Sequence, residues 1–198
     1  MSKVTGVFEQ FEDLDQIPID DITKSLGSQP PHLVENLLAN RILYPQVAPM
    51  KKEDLNIELA ILREVIRHNP NKYFKITEKK IIIPPQFISR FPDLNKLVLV
   101  FIDSLNPKGI VHIMQGEREI LGSFVKIEFN QDKDNFEMKV LEKKYFFNRG
   151  SLEVVPCSHH CHISFKSEAG RIDGKSEATL EILGGRLGLV VDSRGVEK

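Results

Sequence analysis

The sequence predicts an α+β protein in which a small helical N-terminal unit precedes a mainly antiparallel β-barrel or sandwich. Before residue 72, apolar residues recur at steps of three and four, which is the helical spacing. After that point, short apolar or alternating segments are separated by turn residues, which is typical of strands. The 198 residues are enough for a substantial core. We therefore predict a helical unit over residues 1–70 and a β-rich domain over residues 71–198.

The first two helices are predicted by their end signals. Asp20 and Asp21 are acids suited to a helix start, and Gly27 suits the end of that helix. Pro30 and Pro31 fit the first turn of a second helix. The inward face of this second helix is expected to comprise Leu33, Val34, Leu37, Leu38 and Ile42. The result is a helix-turn-helix-like arrangement.

A third helix is predicted over roughly residues 52–68, before the breaking sequence NPNK. The rest of the chain is predicted as strands. KLVLVFIDS, at residues 96–104, is an unbroken apolar run that indicates a strand buried on both faces. FVKIEFN and FEMKVLEKKYFF, separated by the polar QDKDN, indicate a hairpin. Other strand segments are YFKITEKKIIIP, SLEVVP, HISFKS, ATLEIL and LGLVVD.

Composition and charge narrow the function classes. The chain is 41% hydrophobic and 28% charged, with a net charge of −1, so no global field attracts nucleic acid. No apolar run approaches the roughly 20 residues of a membrane-spanning helix. The N-terminal stretch becomes acidic where a secretory signal would be apolar. We therefore expect a cytoplasmic protein without a membrane span, whose two cysteines are thiols, ligands or inert core groups.

The helix-turn-helix-like pattern at residues 20–42 raises the question of DNA binding. Its expected outward side chains offer one firm cation against one carboxylate: His32, Glu35, Asn36, Asn40 and Arg41. Six acids, with no Lys or Arg among them, occupy the segment from Glu9 to Asp21. Because phosphate contacts supply most of the affinity for DNA, this charge argues against nucleic acid as a partner.

A second pattern, AGRIDGKS at residues 169–176, is similar to a relaxed phosphate-binding loop. The segment that follows it fits a strand as well as a short helix, whereas the phosphate-binding motif requires a helix there. Asp173–Gly174 is also a favoured hairpin turn, which explains the same residues without a ligand. We therefore expect no nucleotide cofactor.

The segment PCSHHCH, at residues 156–162, contains both cysteines and three of the six histidines. In a strand, alternate side chains share a face, which would separate Cys157, His159 and Cys161 from His160 and His162. Zinc accepts thiolate and imidazole together, but a closed structural site requires a fourth donor, for which His112 is a candidate. Alternatively, the cysteines are small core residues and the histidines are polar strand residues.

The order of His160, His162, Glu168 and Gly174 resembles the first metal motif of the cupins, double-stranded β-barrels that often carry a metal. The likeness covers residues 150–174, and the second motif of that family is missing from the sequence. The resemblance implies that His160, His162 and Glu168 are ligands of zinc or another divalent metal. The full set of candidate metal ligands is Cys157, His159, His160, Cys161, His162 and Glu168.

No catalytic residue can be assigned, because no serine lies in G-x-S-x-G and no complete nucleophile set is visible. We therefore expect a non-catalytic adaptor or subunit of a larger cytoplasmic assembly. It would bind other protein subunits, or itself, through the helical unit and exposed strand edges. VTGVFEQF and LGLVVD, near the two ends of the chain, are the candidate edges. The alternative function is a metal-binding, cupin-like β-barrel enzyme that uses the cluster at residues 157–162.

Overall fold

The computed structural model describes residues 16–27, 30–44, 47, 51–70, 74–77 and 79–195. These residues form an α+β protein with helices first and mostly strands afterwards, as predicted. They divide into two compact units. The helical unit contains the residues up to Ile76 together with Ile83–Asn106, and the strand unit contains Thr77–Ile82 and the residues from Pro107 onward. Whether residues 1–70 and 71–198 are separate folding domains stays a prediction.

The helical unit contains the helices α1 (Ile19–Leu26), α2 (Pro31–Leu43), α3 (Lys52–His68), α4 (Pro85–Arg90) and α5 (Leu94–Leu105). The first three lie where the sequence predicts them. In α1, Asp20 and Asp21 occupy the first turn, and Gly27 follows the last turn with a positive φ of 75°. The acids oppose the positive end of the helix dipole, and glycine tolerates that backbone conformation. The helix-turn-helix-like geometry of α1 and α2 stays a prediction.

The apolar run KLVLVFIDS was expected to be a strand, and this prediction is wrong. It forms most of α5, which the Asp93 carboxylate caps by accepting a hydrogen bond from the Lys96 backbone N–H. Asn106 ends the helix in the left-handed conformation. A short, continuous apolar run does not distinguish a buried strand from a buried helix, so the capping residues decide. Phe101 of α5 packs edge-to-face on Phe74, with 5.0 Å between ring centroids.

In the part of the chain that the structure describes, twelve strands follow or flank these helices. They are β1 (Lys75–Thr77), β2 (Lys80–Ile83), β3 (Ile110–Gln115), β4 (Glu119–Lys126), β5 (Glu128–Phe129), β6 (Asn135–Val140), β7 (Lys143–Asn148), β8 (Leu152–Val155), β9 (His160–Lys166), β10 (Gly170–Arg171), β11 (Glu177–Leu183) and β12 (Gly188–Asp192). A six-stranded sheet has the order β1-β2-β3-β4-β12-β8, a four-stranded sheet has the order β11-β9-β6-β7, and β10 pairs with β5.

The two larger sheets share a core in the strand unit. Buried side chains from both sheets form one apolar cluster that includes Val125 of β4, Phe136 of β6 and Val191 of β12. Within the described residues, however, the strands do not close into a barrel, because each of these sheets ends in edge strands. Of the two predicted alternatives, the barrel is therefore not a closed one, and the sandwich stays a prediction; the α+β class and the strand-rich second half are confirmed.

The expected hairpin between FVKIEFN and FEMKVLEKKYFF is also wrong. β5 pairs with β10, and the hairpin lies inside the second segment, where β6 pairs with β7. Its turn contains Leu141, which has a positive φ of 53°. Leucine rarely adopts this conformation. The turn contains neither Asn nor Gly, the residues by which a hairpin turn is recognised in a sequence, so the sequence did not reveal it.

LGLVVD was expected to be an exposed edge, but β12 is a central strand. It runs parallel to β4 on one side and antiparallel to β8 on the other, and all five of its residues are buried. Its continuous apolar sequence is typical of a strand covered on both faces. The other candidate edge, VTGVFEQF, lies outside the described residues.

The Asp173–Gly174 pair forms a tight turn, as the hairpin interpretation predicts. Both residues have positive φ, and Ile172 and Lys175 form an antiparallel bridge on either side. Two central residues in this conformation define the hairpin turn that Asp-Gly favours.

Among the helices of the described ranges, none is long and apolar enough to span a bilayer.

Candidate functional site

The cysteines of PCSHHCH are joined to each other. A disulfide links Cys157, in the loop before β9, to Cys161 within β9, and the two Cα atoms are 6.0 Å apart. Both residues are buried in the core of the strand unit. The sequence led us to expect thiols, ligands or inert core groups, so this bond is a correction. While it is intact, neither sulfur is a thiolate, the form in which cysteine binds zinc.

The loop that the disulfide closes lies against the glycine pair that precedes β12. The backbone N–H of Gly184 donates to the carbonyl of His159, and that of Gly185 donates to the carbonyl of Cys157. A Cβ on Gly184 would collide with the Cys157 carbonyl oxygen, so only glycine allows this approach. The sequence indicates only a turn at Gly184 and Gly185. In the structure, the loop closed by the disulfide packs against these two glycines.

A surface pocket of about 620 Å³ opens beside the disulfide. Its apolar wall includes Leu141, Val154 and Leu187, and the loop 157–161 forms another wall. His159 lines the pocket and places its Nδ1 3.1 Å from the hydroxyl of Ser158. The pocket is a concave apolar feature whose lining includes this Ser158–His159 pair, and none of its described lining residues is a carboxylate that could orient the imidazole.

The other two histidines of the segment lie on the solvent-facing side of the four-stranded sheet. His160 and His162 are exposed and alternate along β9 with the buried Cys161, as the strand period predicts. His162 is the direct cross-strand neighbour of Glu181 in β11. The Nδ1 of His160 lies 2.7 Å from a carboxylate oxygen of the same Glu181. His159 precedes β9, so it does not take part in this alternation.

Glu168, the acidic residue of the cupin-like pattern, lies in the loop after β9. It is six residues beyond His162, a distance of roughly 20 Å along an extended chain. Among the described residues, no group of three or more His, Cys, Asp or Glu side chains is placed to hold a metal ion. The six predicted ligands are therefore not assembled as one set, and metal binding by any of them stays a prediction.

His112, the candidate fourth donor, is engaged elsewhere. Its Nδ1 lies 2.9 Å from the hydroxyl of Ser123, and that hydroxyl donates to the Leu183 carbonyl at 2.5 Å. Because the serine proton points to a carbonyl, the imidazole must donate to Ser123 and does not act as its base. Burial, assisted by the charges of Lys80 and Lys79, lowers the pKa of His112 below its ordinary value. The pair is thus a neutral structural contact.

A buried ion pair joins the two parallel strands of the six-stranded sheet. Lys126 and Asp192 are Cα partners, and the ammonium lies 3.0 Å from the carboxylate. The same carboxylate accepts hydrogen bonds from the Arg194 side chain. Burial acts to raise the pKa of Asp192, but the hydrogen bonds from Arg194 and Lys126 outweigh it and hold the pKa below its ordinary value.

A second buried carboxylate lies in the helical unit. Glu58 of α3 forms ion pairs with Arg41 of α2 and Arg90 of α4, and all three side chains are buried. Both guanidinium groups also donate to the carbonyl of Val47, at 2.7 and 2.8 Å. The backbone of Val47 is therefore held by two cations that are themselves held by Glu58.

The sequence placed Arg41 outward and Ile42 inward, and the structure reverses both. Arg41 is 4% exposed and continues the buried stripe of Val34 and Leu38, from which it is seven and three residues away. The signal that sequence reasoning missed was this helical spacing. Arg41 lies at a position of the buried stripe, although its charge suggests an outward side chain. Leu33, also expected to face inward, is exposed.

Large apolar side chains are exposed at and after the C-terminal end of α2. Ile42 is 46% exposed, Leu43 68%, Tyr44 56% and Val47 49%. We call these four residues the α2 apolar end. They follow one another closely in the chain and include the residue whose carbonyl the two arginines hold. The helical unit thus presents apolar side chains on an anchored segment.

Compared with models of known protein families, with curated proteins and with solved structures, the chain shows no match.

Proposed function

We propose that this protein is a non-catalytic adaptor or subunit of a larger cytoplasmic assembly, and that it binds another protein chain through the α2 apolar end. The observation that carries the proposal is the anchoring of this segment. Exposed apolar groups that lie together mark interaction sites more often than isolated ones do. Here they lie on a segment fixed at the Val47 carbonyl by Arg41 and Arg90.

The anchoring matters because binding costs conformational entropy. A segment that is already held in place loses less freedom when a partner covers it, so more of the apolar contact appears as affinity. A buried Arg–Glu–Arg cluster is expensive to desolvate and is weak evidence for stability by itself. The cluster does, however, hold the backbone beside exposed apolar side chains, and this positioning effect supports a docking role.

The strand unit offers a second, smaller contribution through its edges. β8 ends the six-stranded sheet and β7 ends the four-stranded sheet. Val154 of β8 is 54% exposed and Phe146 of β7 is 55% exposed. Edge strands with exposed apolar residues can pair with an added strand, so these edges are the proposed secondary contacts.

The test compares three full-length baits in affinity capture: the wild type, the double variant Leu43→Ser with Tyr44→Ser, and the control Leu33→Ser, at an exposed apolar position of α2 outside the α2 apolar end. Light scattering over a dilution series measures self-association of the same proteins. We expect the wild type and Leu33→Ser to retain the same partner chain, which is either a second copy or another subunit. The double variant should lose it.

Two results would contradict the proposal. One is a wild-type protein that is strictly monomeric and retains no partner. The other is equal retention by the double variant, which would exclude the α2 apolar end as the binding surface. Because the substituted residues are exposed, the variants should unfold at the same urea concentration as the wild type.

A further inference from the structure

The solvent-facing side of β9 and β11 brings together two imidazoles and one carboxylate. His160 and His162 are two residues apart on β9 and share the exposed face. Glu181 lies directly opposite His162 and also contacts Nδ1 of His160. The side chains of His160 and Glu181 are 63% and 56% exposed, so a solvated ion has free access to them.

The spacing suits a shared ion. Side chains at i and i+2 on a strand start roughly 6.6 Å apart, a gap that two imidazoles can bridge when each nitrogen approaches a metal to about 2.0 to 2.1 Å. Glu181 contacts Nδ1 of His160, so Nε2 is the ring nitrogen through which His160 would bind a metal. A carboxylate on the second ring nitrogen is the usual support of a metal-binding histidine, because it fixes the ring and raises its basicity.

We propose that His160 and His162 form a two-histidine site for a divalent transition metal, and that Glu181 is the positioning residue that orients His160. Imidazole ligands suit zinc, nickel and copper. Water completes the coordination, in agreement with the lack of any group of three protein donors in the described part of the chain. The site is independent of the α2 apolar end and goes beyond the proposed docking function.

The geometry selects these residues from the larger set that the sequence suggests. Cys161 points to the opposite, buried side of β9 and is bonded to Cys157. Glu168 lies beyond the end of β9, so the carboxylate of this site is Glu181, which orients His160 and is not itself a metal ligand. Metal binding at this site therefore needs neither a free thiol nor Glu168.

The experiment titrates the full-length protein, without a histidine tag, with Zn²⁺ alone in a non-coordinating buffer, followed by calorimetry. We expect about one Zn²⁺ per chain at this site, and His160→Ala or His162→Ala should weaken binding at least ~10-fold. Glu181→Gln should weaken binding by about 10-fold to 100-fold, and Glu181→Asp should recover most of the loss.

His159→Ala and Glu168→Gln are the matched controls, because both residues belong to the sequence-predicted set but lie outside this site. Neither should change the Zn²⁺ affinity. Since all the substituted side chains of the site are exposed, the urea unfolding midpoint should stay constant. A loss of affinity without a loss of stability separates the positioning role of Glu181 from a structural one.

The proposal would be overturned by a protein that takes up no Zn²⁺ at millimolar concentration. It would also be overturned by loss of binding in His159→Ala, or by binding that appears only after a phosphine reduces the disulfide. The last two results would assign the metal to the cysteine loop instead of the outer face of β9.

Discussion

Glu58 in the helical unit and Asp192 in the strand unit are both buried carboxylates that contact two cations, yet they reach those cations differently. Asp192 faces Lys126 because the parallel ladder of β12 and β4 makes them partners. Glu58 meets Arg41 and Arg90, which are distant in sequence, only because three helices pack together. The first cluster follows from a sheet register, whereas the second exists only in the assembled helical unit.

The comparison explains why only one of the clusters is tied to the docking surface. In the Asp192 cluster, Lys126 and Arg194 both donate to the Asp192 carboxylate near the end of β12. The Glu58 cluster extends to the Val47 carbonyl and so positions an exposed apolar segment. A change in either cluster should lower stability, but only a change at Glu58 should also alter partner binding.

The largest expected effect is that of Glu58→Gln. It removes the carboxylate that Arg41 and Arg90 share in the buried cluster, and breaking a buried ion pair in this way typically costs about 3 to 5 kcal/mol of unfolding free energy. Urea unfolding measures the loss, and Glu53→Gln, at an exposed position of the same helix, is the control. A cost below about 1 kcal/mol would show that the arginines reach water and that the cluster does not hold the segment.

Asp192→Asn should cost somewhat less, about 3 kcal/mol, since Lys126 loses its partner but Arg194 is partly exposed and can be hydrated. The folded pKa of Asp192 is below its ordinary value, so the folded state favours the ionised form. This stabilisation is present above the unfolded pKa and is lost as the pH falls through the folded pKa.

Unfolding of the wild type should therefore become easier on acidification below about pH 4, and Asp192→Asn should flatten this dependence. Asp132→Asn, in an exposed turn, is the control. An acid dependence that is the same in Asp192→Asn and the wild type would mean that other carboxylates dominate, and the cluster would contribute little.

Reduction of the Cys157–Cys161 disulfide should have a smaller effect. The bond closes a loop of only a few residues, for which the loss of chain entropy in the unfolded state corresponds to about 2 kcal/mol. Urea unfolding with and without a phosphine reductant gives the difference. The double variant Cys157→Ala with Cys161→Ala should not respond to the reductant, and a wild type that does not respond either would contradict the bond.

The smallest effect is expected at the surface pair of Lys166 and Glu177. Their side chains are 80% and 62% exposed, so water screens the attraction. Glu177→Gln should change the unfolding free energy by less than about 0.5 kcal/mol. A change above about 1 kcal/mol would undermine the distinction between buried and exposed charges on which the comparison rests.

Sequence reasoning succeeded where local signals agree with the final structure. Asp20, Asp21 and Gly27 mark α1, and the Asp173–Gly174 pair marks its turn, because caps and tight turns are determined by neighbouring residues. It failed at KLVLVFIDS because this run is almost entirely apolar. Both a helix buried in a bundle and a strand buried in a sheet can have such a sequence. It failed at the β6–β7 turn because Leu141 gives no turn signal.

The candidate sites show the same limit. Alternation along β9 correctly separated His160 and His162 from Cys161, since it depends on one strand alone. The contact with Glu181 depends on the pairing of β9 with β11, and the Glu58 cluster depends on the packing of three helices. Neither contact is visible in the linear sequence, so the sequence reasoning named neither Glu181 nor Glu58, and Glu168 as a metal ligand stays a prediction.

The most direct test of the docking surface is site-specific photo-crosslinking in living cells with the full-length chain. A photoreactive amino acid replaces Leu43 in one protein and Asn36, an exposed polar residue of the same helix, in the other. We expect a discrete covalent adduct with one partner chain from position 43 and none from position 36. No adduct from position 43, or the same adducts from both positions, would contradict the claim that the α2 apolar end binds another protein.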